Sequence, residues 1–219
     1  MRATVCRVDV RKEHLQLFLR DDTGAPFNSF AAIEHWLAPQ GQHLQFAMNA
    51  GMYRPDYSPS GLFVAEGKQL APLETRSGHG NFFLKPNGVF LVSERGARVV
   101  ETSEYPRLHE RVLLATQSGP LLLRRGRIHP GFTVDSASRL IRNGVGVTAQ
   151  GEAVFAISDT PVNFYEFALL FRDRLQCPDA LYLDGNVSSL HARALGRSDR
   201  NADLGPIIDV TGPDLAAKE

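Results

Sequence analysis

The 219-residue chain carries 24 basic and 24 acidic side chains, and 43% of its residues are apolar. That balance suits one globular domain with a sizeable core, and zero formal charge excludes a general electrostatic affinity for nucleic acid or anionic membranes. No apolar run approaches the roughly 18 residues a membrane-crossing helix needs, and the opening MRATVCRVDV has neither the basic start nor the apolar centre of a signal peptide.

The first segment, TVCRVDV, alternates Cys6, Val8 and Val10 with Arg7 and Asp9, and after a polar KEH stretch Leu15, Leu17 and Leu19 alternate with Gln16 and Arg20. This predicts a hairpin with one buried face. Ser29 is placed to cap a helix that carries Phe30, Ile33, Trp36 and Leu37 on one side, and Pro39 and Gly41 stop it. Hairpins follow, with turns at Glu66-Gly67-Lys68, Pro86-Asn87-Gly88 and Glu94-Arg95-Gly96. Asn87-Gly88 is the pair best suited to a type I′ turn.

VLLATQSGPLLLRRGRIHP reads as strand, polar break, strand and turn, and GVGVTAQGEAVFAIS repeats the pattern around Gln150-Gly151. A second helix is predicted in VNFYEFALLFRDRL, where Phe164, Phe167, Ala168, Phe171 and Leu175 recur at helical spacing before Pro178. Strands outnumber helices, and the one strand-helix-strand passage near the end does not repeat. The expected class is therefore α+β: a single domain over 1–219, with its core at about 5–210, of mixed or antiparallel hairpin-rich sheets, two main helices and a polar surface cavity. The stretches 58–61 and 196–206 read as surface loops. Cys6 and Cys177 are too few for a disulfide framework and wrongly spaced for zinc. They are either buried free thiols or one bridge from the first strand to the exit of the second helix, and a bridge would point outside the cytoplasm.

Four apolar segments end in polar residues that simple turns do not call for. These are FAMNAGMY at Asn49, LLATQSGP at Gln117 and Ser118, RLIRNGVGV at Arg142 and Asn143, and LYLDGNVSS at Asp184. If these strand ends meet, they enclose a carboxylate, guanidinium, amide and hydroxyl groups and glycine-exposed backbone N–H groups, a set suited to a polar, anionic ligand.

NAGMY, ATQSGPLL, RNGVGV and ALYLDGNVSSL, in this order and at these spacings, resemble the phosphodiester glycosidase family, with the closest likeness to its bacterial single-domain branch, whose members generally lie in the periplasm or are secreted. The resemblance runs from about Val5 to Asp209. It implies an α+β fold with a polar cavity and cleavage of a sugar from a sugar-1-phosphodiester, of the N-acetylglucosamine-1-phosphodiester kind, without a cofactor. The positions that match are Asn49 and Gly51, then Gln117, Ser118 and Gly119, then Arg142 and Asn143, and finally Asp184, Gly185, Ser188 and Ser189. The chain departs from the family in reading Arg-Asn-Gly where Arg-Thr-Ala is frequent, and Asp-Gly-Asn-Val-Ser-Ser where a run of glycines is common.

The chemistry follows independently. Breaking a glycosidic bond to phosphate passes through an oxocarbenium-like state that a carboxylate stabilises or attacks, and Asp184 is the candidate. A phosphate ester is already a good leaving group, so donors that hold it matter more than a strong acid. Arg142 offers a planar fork of donors, and the backbone from Gly185 through Asn186 to Ser189 offers N–H groups in a nest. Asp159, in ISDTPVNF, is the candidate for a second carboxylate. Each residue also has a structural reading: Asp184 as a turn former capping local backbone, Arg142 as a surface arginine, Asp159 as a turn or a cap of the second helix, and Asn49, Gln117, Ser118, Ser188 and Ser189 as partners of buried backbone.

The chain has no G-x-S-x-G, no histidine pair or carboxylate cluster at metal-binding spacing, and no dinucleotide or Walker glycine motif. The expected partner is a small-molecule or glycan phosphodiester, with no nucleic acid and no membrane insertion. The alternative to a hydrolase is a non-catalytic envelope module that binds a carbohydrate or phosphosugar.

Overall fold

Side-chain alternation sets which face of each strand is buried, and turn geometry sets which strands can pair. In the computed structural model, which describes residues 1–213, the chain runs β1 (Ala3–Val8), β2 (Leu15–Phe18), α1 (Phe30–Leu37), β3 (His43–Asn49), β4 (Phe63–Ala65), β5 (Lys68–Ala71), β6 (Gly88–Ser93), β7 (Gly96–Glu101), β8 (Val112–Ser118), β9 (Leu121–Arg124), β10 (Arg127–Ile128), β11 (Asn143–Val147), β12 (Ala153–Ser158), α2 (Phe164–Leu169), β13 (Asp179–Asp184), β14 (Leu190–Ala192), β15 (Arg197–Ser198) and β16 (Ile207–Gly212). Three sheets result, ordered β1-β12-β11-β13-β9-β10, β15-β14-β3-β16-β2 and β5-β4-β8-β6-β7. Their pairings are antiparallel. The α+β class is as the sequence predicts, while residues 214–219 of the expected domain lie outside the described residues.

The inner faces of all three sheets share one core, drawn from Phe46, Phe63, Phe90, Phe155, Leu181 and Leu183 among others. Each outer face has its own cover. Helix α1, with the Ser29 hydroxyl accepting the Ala32 N–H at 3.2 Å, lays Phe30, Ile33 and Leu37 on the second sheet. Leu73, Tyr105 and Leu108 cover the third. Helix α2 starts in a reciprocal capping box of Asn163 and Glu166 and continues as a π-helical turn, Leu170–Arg174. It seats Phe167 and Phe171 on the first sheet, and the RNGVGV pattern explains how. A Cβ on Gly144 would lie 3.1 Å from the Phe167 ring, and one on Gly146 2.7 Å from the Phe171 ring. Val145 and Val147 meanwhile face the central core.

Three sequence expectations are corrected. Segments β1 and β2 are not a hairpin: β1 pairs with β12 and β2 with β16, because the six residues 9–14 bend away between them, with the Lys12 and Glu13 N–H groups both bonded to Asp9 O. Asn87-Gly88 is not a type I′ turn, since neither residue has a positive φ. Asn87 is buried with its Nδ2 donating to Phe82 O at 2.9 Å, and Gly88 opens β6 opposite Ser118 and Glu101. Left-handed pairs that do make two-residue hairpin turns are Glu66-Gly67, at φ 51 and 73°, and Arg125-Gly126, at φ 52 and 76°. Asp159 does not cap α2, a role that falls to Asn163. The choice left open for the cysteines is settled by geometry: Cys6 packs on the central core and Cys177 beneath α2, on opposite faces of one sheet, and both are free. Burial pushes their thiols up to about 11 and about 12.

One buried charge has no visible reason. Asp209 on β16 is fully buried, and neither carboxylate oxygen has a hydrogen-bond partner. Its neighbours in register are Ala47 and Gln16, beneath α1. Desolvation holds its pKa well above the ordinary carboxyl value. A raised folded pKa gives stability that is complete below the unfolded value of about 3.9 and is lost as pH rises from there to the folded pKa. Asp209→Asn removes that slope. In urea unfolding its stability relative to the wild type should therefore increase with pH above 4, by up to about 1.4 kcal/mol per unit. A difference that stays constant from pH 4 to pH 8 would refute the buried neutral acid.

Candidate active site

The four polar strand ends do converge, and most of their polar groups are consumed by one another. The Asn143 amide donates to Asn49 O at 2.9 Å and Asn49 Oδ1 at 3.1 Å, the Asn49 amide approaches Asn143 Oδ1 at 3.4 Å, and the Ser189 N–H donates to Asn49 Oδ1 at 2.9 Å. The Ser188 hydroxyl lies 3.0 Å from Ile141 O and Asp184 O and 3.2 Å from Asn143 Oδ1. Ser189 Oγ turns back to Val187 O at 2.9 Å. Asn49, Asn143 and Ser189 are buried, forming a polar knot between the first and second sheets.

The second motif holds the third sheet to that knot. Ser118 Oγ donates to Leu183 O at 3.0 Å, where the register between β11 and β13 shifts. Gln117 points away from the knot. Its Oε1 accepts the N–H groups of Leu62 and Glu74, both at 2.9 Å, and its Nε2 donates to Glu74 O at 2.7 Å, clamping the segment between them. Gly51 and Gly119 are close-approach positions. A Cβ on Gly51 would stand 2.3 Å from Gln117 O, and one on Gly119 would stand 2.6 Å from Phe82 O. Asp159 also lies apart, two strands from Asp184 in the sheet order. It is exposed, with Thr4 Oγ1 donating to it at 3.1 Å and the Arg197 guanidinium forming an ion pair with it at 3.7 Å.

What remains open is a cavity of about 440 Å³ lined by Met52, Tyr53, Gly80, Asn81, Tyr182, Asp184, Asn186 and Val187. Its size suits a sugar ring with a phosphate. Asp184 is brought here by a β-bulge: Asn143 pairs with Asp184 but Gly144 with Tyr182, which leaves Leu183 as the extra residue that re-aims the strand end. Asp184 Oδ1 accepts the N–H groups of Gly185, Asn186 and Val187 at 2.5, 2.7 and 3.3 Å. The backbone nest predicted to hold a ligand's phosphate is thus filled by the protein's own carboxylate. The structural and the functional reading of Asp184 hold at once, since one oxygen organises the loop and the residue still lines the pocket.

Arg142 is the largest side chain with no exposure, and it does not reach the pocket itself. Its Nε donates to Val162 O at 2.9 Å, Nη2 to Ser138 O at 2.9 Å, and Nη1 to the Tyr182 hydroxyl at 3.3 Å. Its guanidinium carbon lies 3.8 Å from the centre of the Phe164 ring. Among the described residues it has no carboxylate partner, and burial lowers its pKa. Tyr53 also lines the pocket. Its ring packs on Gly205, its hydroxyl donates to Asp203 O at 2.6 Å, and burial together with the nearby Asp184 charge pushes it up to about 12.

Tyr53, Asn81 and Tyr182 were not among the residues predicted from sequence. Tyr182 was within reach, because it stands two residues before Asp184 and a strand places i and i+2 on one face. Asn81 and Gly80 come from a loop about one hundred residues upstream, with no pattern to single them out. The described residues contain no group of three or more His, Cys, Asp or Glu suited to a metal, and no helix among them is long and apolar enough to cross a membrane.

Fold and site together define an α+β protein with a polar pocket of sugar size built around one carboxylate. The chain belongs to the phosphodiester glycosidase family, whose model matches residues 42–204. It is 36% identical over 186 residues to the uncharacterized protein YigE of Escherichia coli (strain K12), across 85% of this chain and 72% of that protein. The fold is similar to the catalytic domain of zebrafish N-acetylglucosamine-1-phosphodiester alpha-N-acetylglucosaminidase auto-inhibited by its pro-peptide, at a TM-score of 0.65 and 12% identity over 95% of this chain and 82% of that one. It is also similar to a hypothetical protein from Synechocystis, at a TM-score of 0.56 and 14% identity, over 95% of this chain and 59% of that one.

Replacing Gln117 by Ala strands two buried N–H groups and one carbonyl. Unfolding free energy in urea should fall by about 2–4 kcal/mol. A loss under about 1 kcal/mol would mean that the 62–74 segment holds itself without the clamp.

Proposed function

We propose that the chain is a hydrolase that cleaves a sugar from a sugar-1-phosphodiester in the Asp184 pocket, with substrates of the N-acetylglucosamine-1-phosphodiester type. The observation that carries this is the placement of a single carboxylate in a polar pocket backed by a buried guanidinium that lacks a carboxylate partner.

A buried cation without a counter-charge is costly, and an anionic ligand in the adjoining pocket would offset that cost. The phosphodiester is such a ligand, and the glycosidic bond it carries breaks with positive charge developing on the anomeric carbon. Asp184 is positioned to meet that charge. Three backbone N–H groups fix Oδ1 and orient the carboxylate, while Oδ2 takes no hydrogen bond from the described residues and is free for the reacting carbon. Water adds to that carbon and gives up one proton to solvent, and the phosphate ester departs with the electrons of the broken C–O bond. No second carboxylate lines the pocket among the described residues, which fits a leaving group that needs charge stabilisation more than protonation. Tyr53 offers an aromatic face for the sugar.

The test is release of free sugar from a panel of sugar-1-phosphodiesters, including N-acetylglucosamine linked to phosphomannose. Wild-type release that falls at least about 100-fold in Asp184→Asn supports the assignment. Absence of release across the panel, with phosphosugar still bound, would replace the hydrolase by the binding module.

A further inference from the structure

We propose that the Tyr182 hydroxyl is the donor that carries the buried charge of Arg142 into the pocket, binding an anionic oxygen of the ligand's phosphate. This rests on the reading of the pocket as a phosphodiester site and adds to it the residue that recognises the phosphate.

The roles of the two groups follow from what each is able to do. Arg142 has only donors, so at 3.3 Å from Nη1 the phenol oxygen must be the acceptor. The Asn81 side chain also donates to this oxygen, so neither bond uses the phenol's own O–H proton, and Tyr182 lines the pocket together with Asp184 and Asn81. Arg142 does not make the contact directly, because it is absent from the pocket lining and its Nε and Nη2 are held by Val162 and Ser138, whereas Tyr182, equally buried, does line the pocket. The backbone nest at 185–187 cannot make it either, since Asp184 Oδ1 occupies it. A phenol that accepts from a guanidinium is polarised, and in a site of low dielectric its outward hydrogen bond to an anion is strengthened. Burial also raises the Tyr182 pKa, so the group remains a donor across the working pH range. Its position is fixed. The ring meets Phe164 edge-on at 4.7 Å, and the hydroxyl sits where a Cβ on Gly185 would come within 2.2 Å. Tyr182 thus touches the ligand, and Arg142 acts through it as a positioning and charging residue.

Inorganic phosphate is the probe, read by thermal shift against matched sodium chloride, alongside sugar release from the phosphodiester panel. Tyr182→Phe keeps the ring and removes only the hydroxyl. It should lose the stabilisation by phosphate and reduce kcat/KM by about 10- to 100-fold, the scale of one hydrogen bond to a charged group, while its melting temperature without phosphate stays within a few degrees of wild type. Gly185→Ala, which crowds the hydroxyl and leaves it present, should lose the phosphate shift in the same way. A phosphate shift in Tyr182→Phe equal to that of a responsive wild type overturns this proposal and leaves the phosphodiester reading standing. A wild type that phosphate does not stabilise and that releases no sugar overturns both.

Discussion

The reciprocal amide pair of Asn49 and Asn143 is the joint on which the site end of the molecule depends. Each residue terminates or begins a strand in a different sheet, and Asn143 Nδ2 reaches both the backbone and the side chain of Asn49. Strand ends leave unpaired polar backbone, and where three sheets converge water cannot reach it. The knot satisfies those groups internally, with Ser189 N–H and Ser188 Oγ completing it. Ser118 then fastens the third sheet to the Leu183 carbonyl. A fully satisfied polar network of this kind is rigid, and rigidity here sets the position of Asp184, which follows the bulge at Leu183 directly.

Two buried ionisable groups contrast with that economy. Arg142 and Asp209 both lie out of solvent and both lack an opposite charge among the described residues. Arg142 keeps its donors paired with carbonyls and hydroxyls and lies against an aromatic face, so its charge persists and its potential reaches the neighbouring pocket. Asp209 has neither donors nor cations around it and is held neutral, under a helix; its register partner Ala47 stands two residues before Asn49, but Asp209 does not line the pocket. Charge without a partner is thus an indicator of function only where hydrogen bonds sustain the ionised form and a cavity adjoins it.

How far the sequence could be read depended on whether a signal was local. Helix α1 with Ser29 as its cap, helix α2 with its aromatic face, and the strand ends at Asn49, Ser118, Asn143 and Asp184 all follow from spacing and residue type within a few positions. The pairing of β1 with β12 and of β2 with β16 did not, because side-chain alternation fixes the buried face of a strand and says nothing about its neighbour. Asn87-Gly88 carries the composition of a hairpin turn yet serves as a buried anchor before a strand, a case where tertiary contacts override local preference. The site was legible as a set of residues and not as a division of labour. Gln117 and Asn143 read equally well as ligand contacts and as partners of buried backbone, and only their occupied hydrogen bonds distinguish the two.

Hydrogen bonds and sterics also explain why the loop after Asp184 reads Gly-Asn-Val in place of the glycine run that the family resemblance implies. None of residues 185–187 has a positive φ, so backbone conformation does not demand glycine at any of them. The demand at Gly185 is steric and comes chiefly from the Tyr182 hydroxyl, 2.2 Å from where a Cβ would stand, with Leu140 Cδ1 at 3.2 Å. Asn186 is exposed and gives only its N–H to Asp184, which any residue but proline supplies. A side chain is therefore free to appear at 186, on the lip of the pocket, while 185 is constrained for as long as 182 is tyrosine. Positions 182 and 185 form one unit, and the departure from a glycine run falls at the position where the structure has no use for glycine.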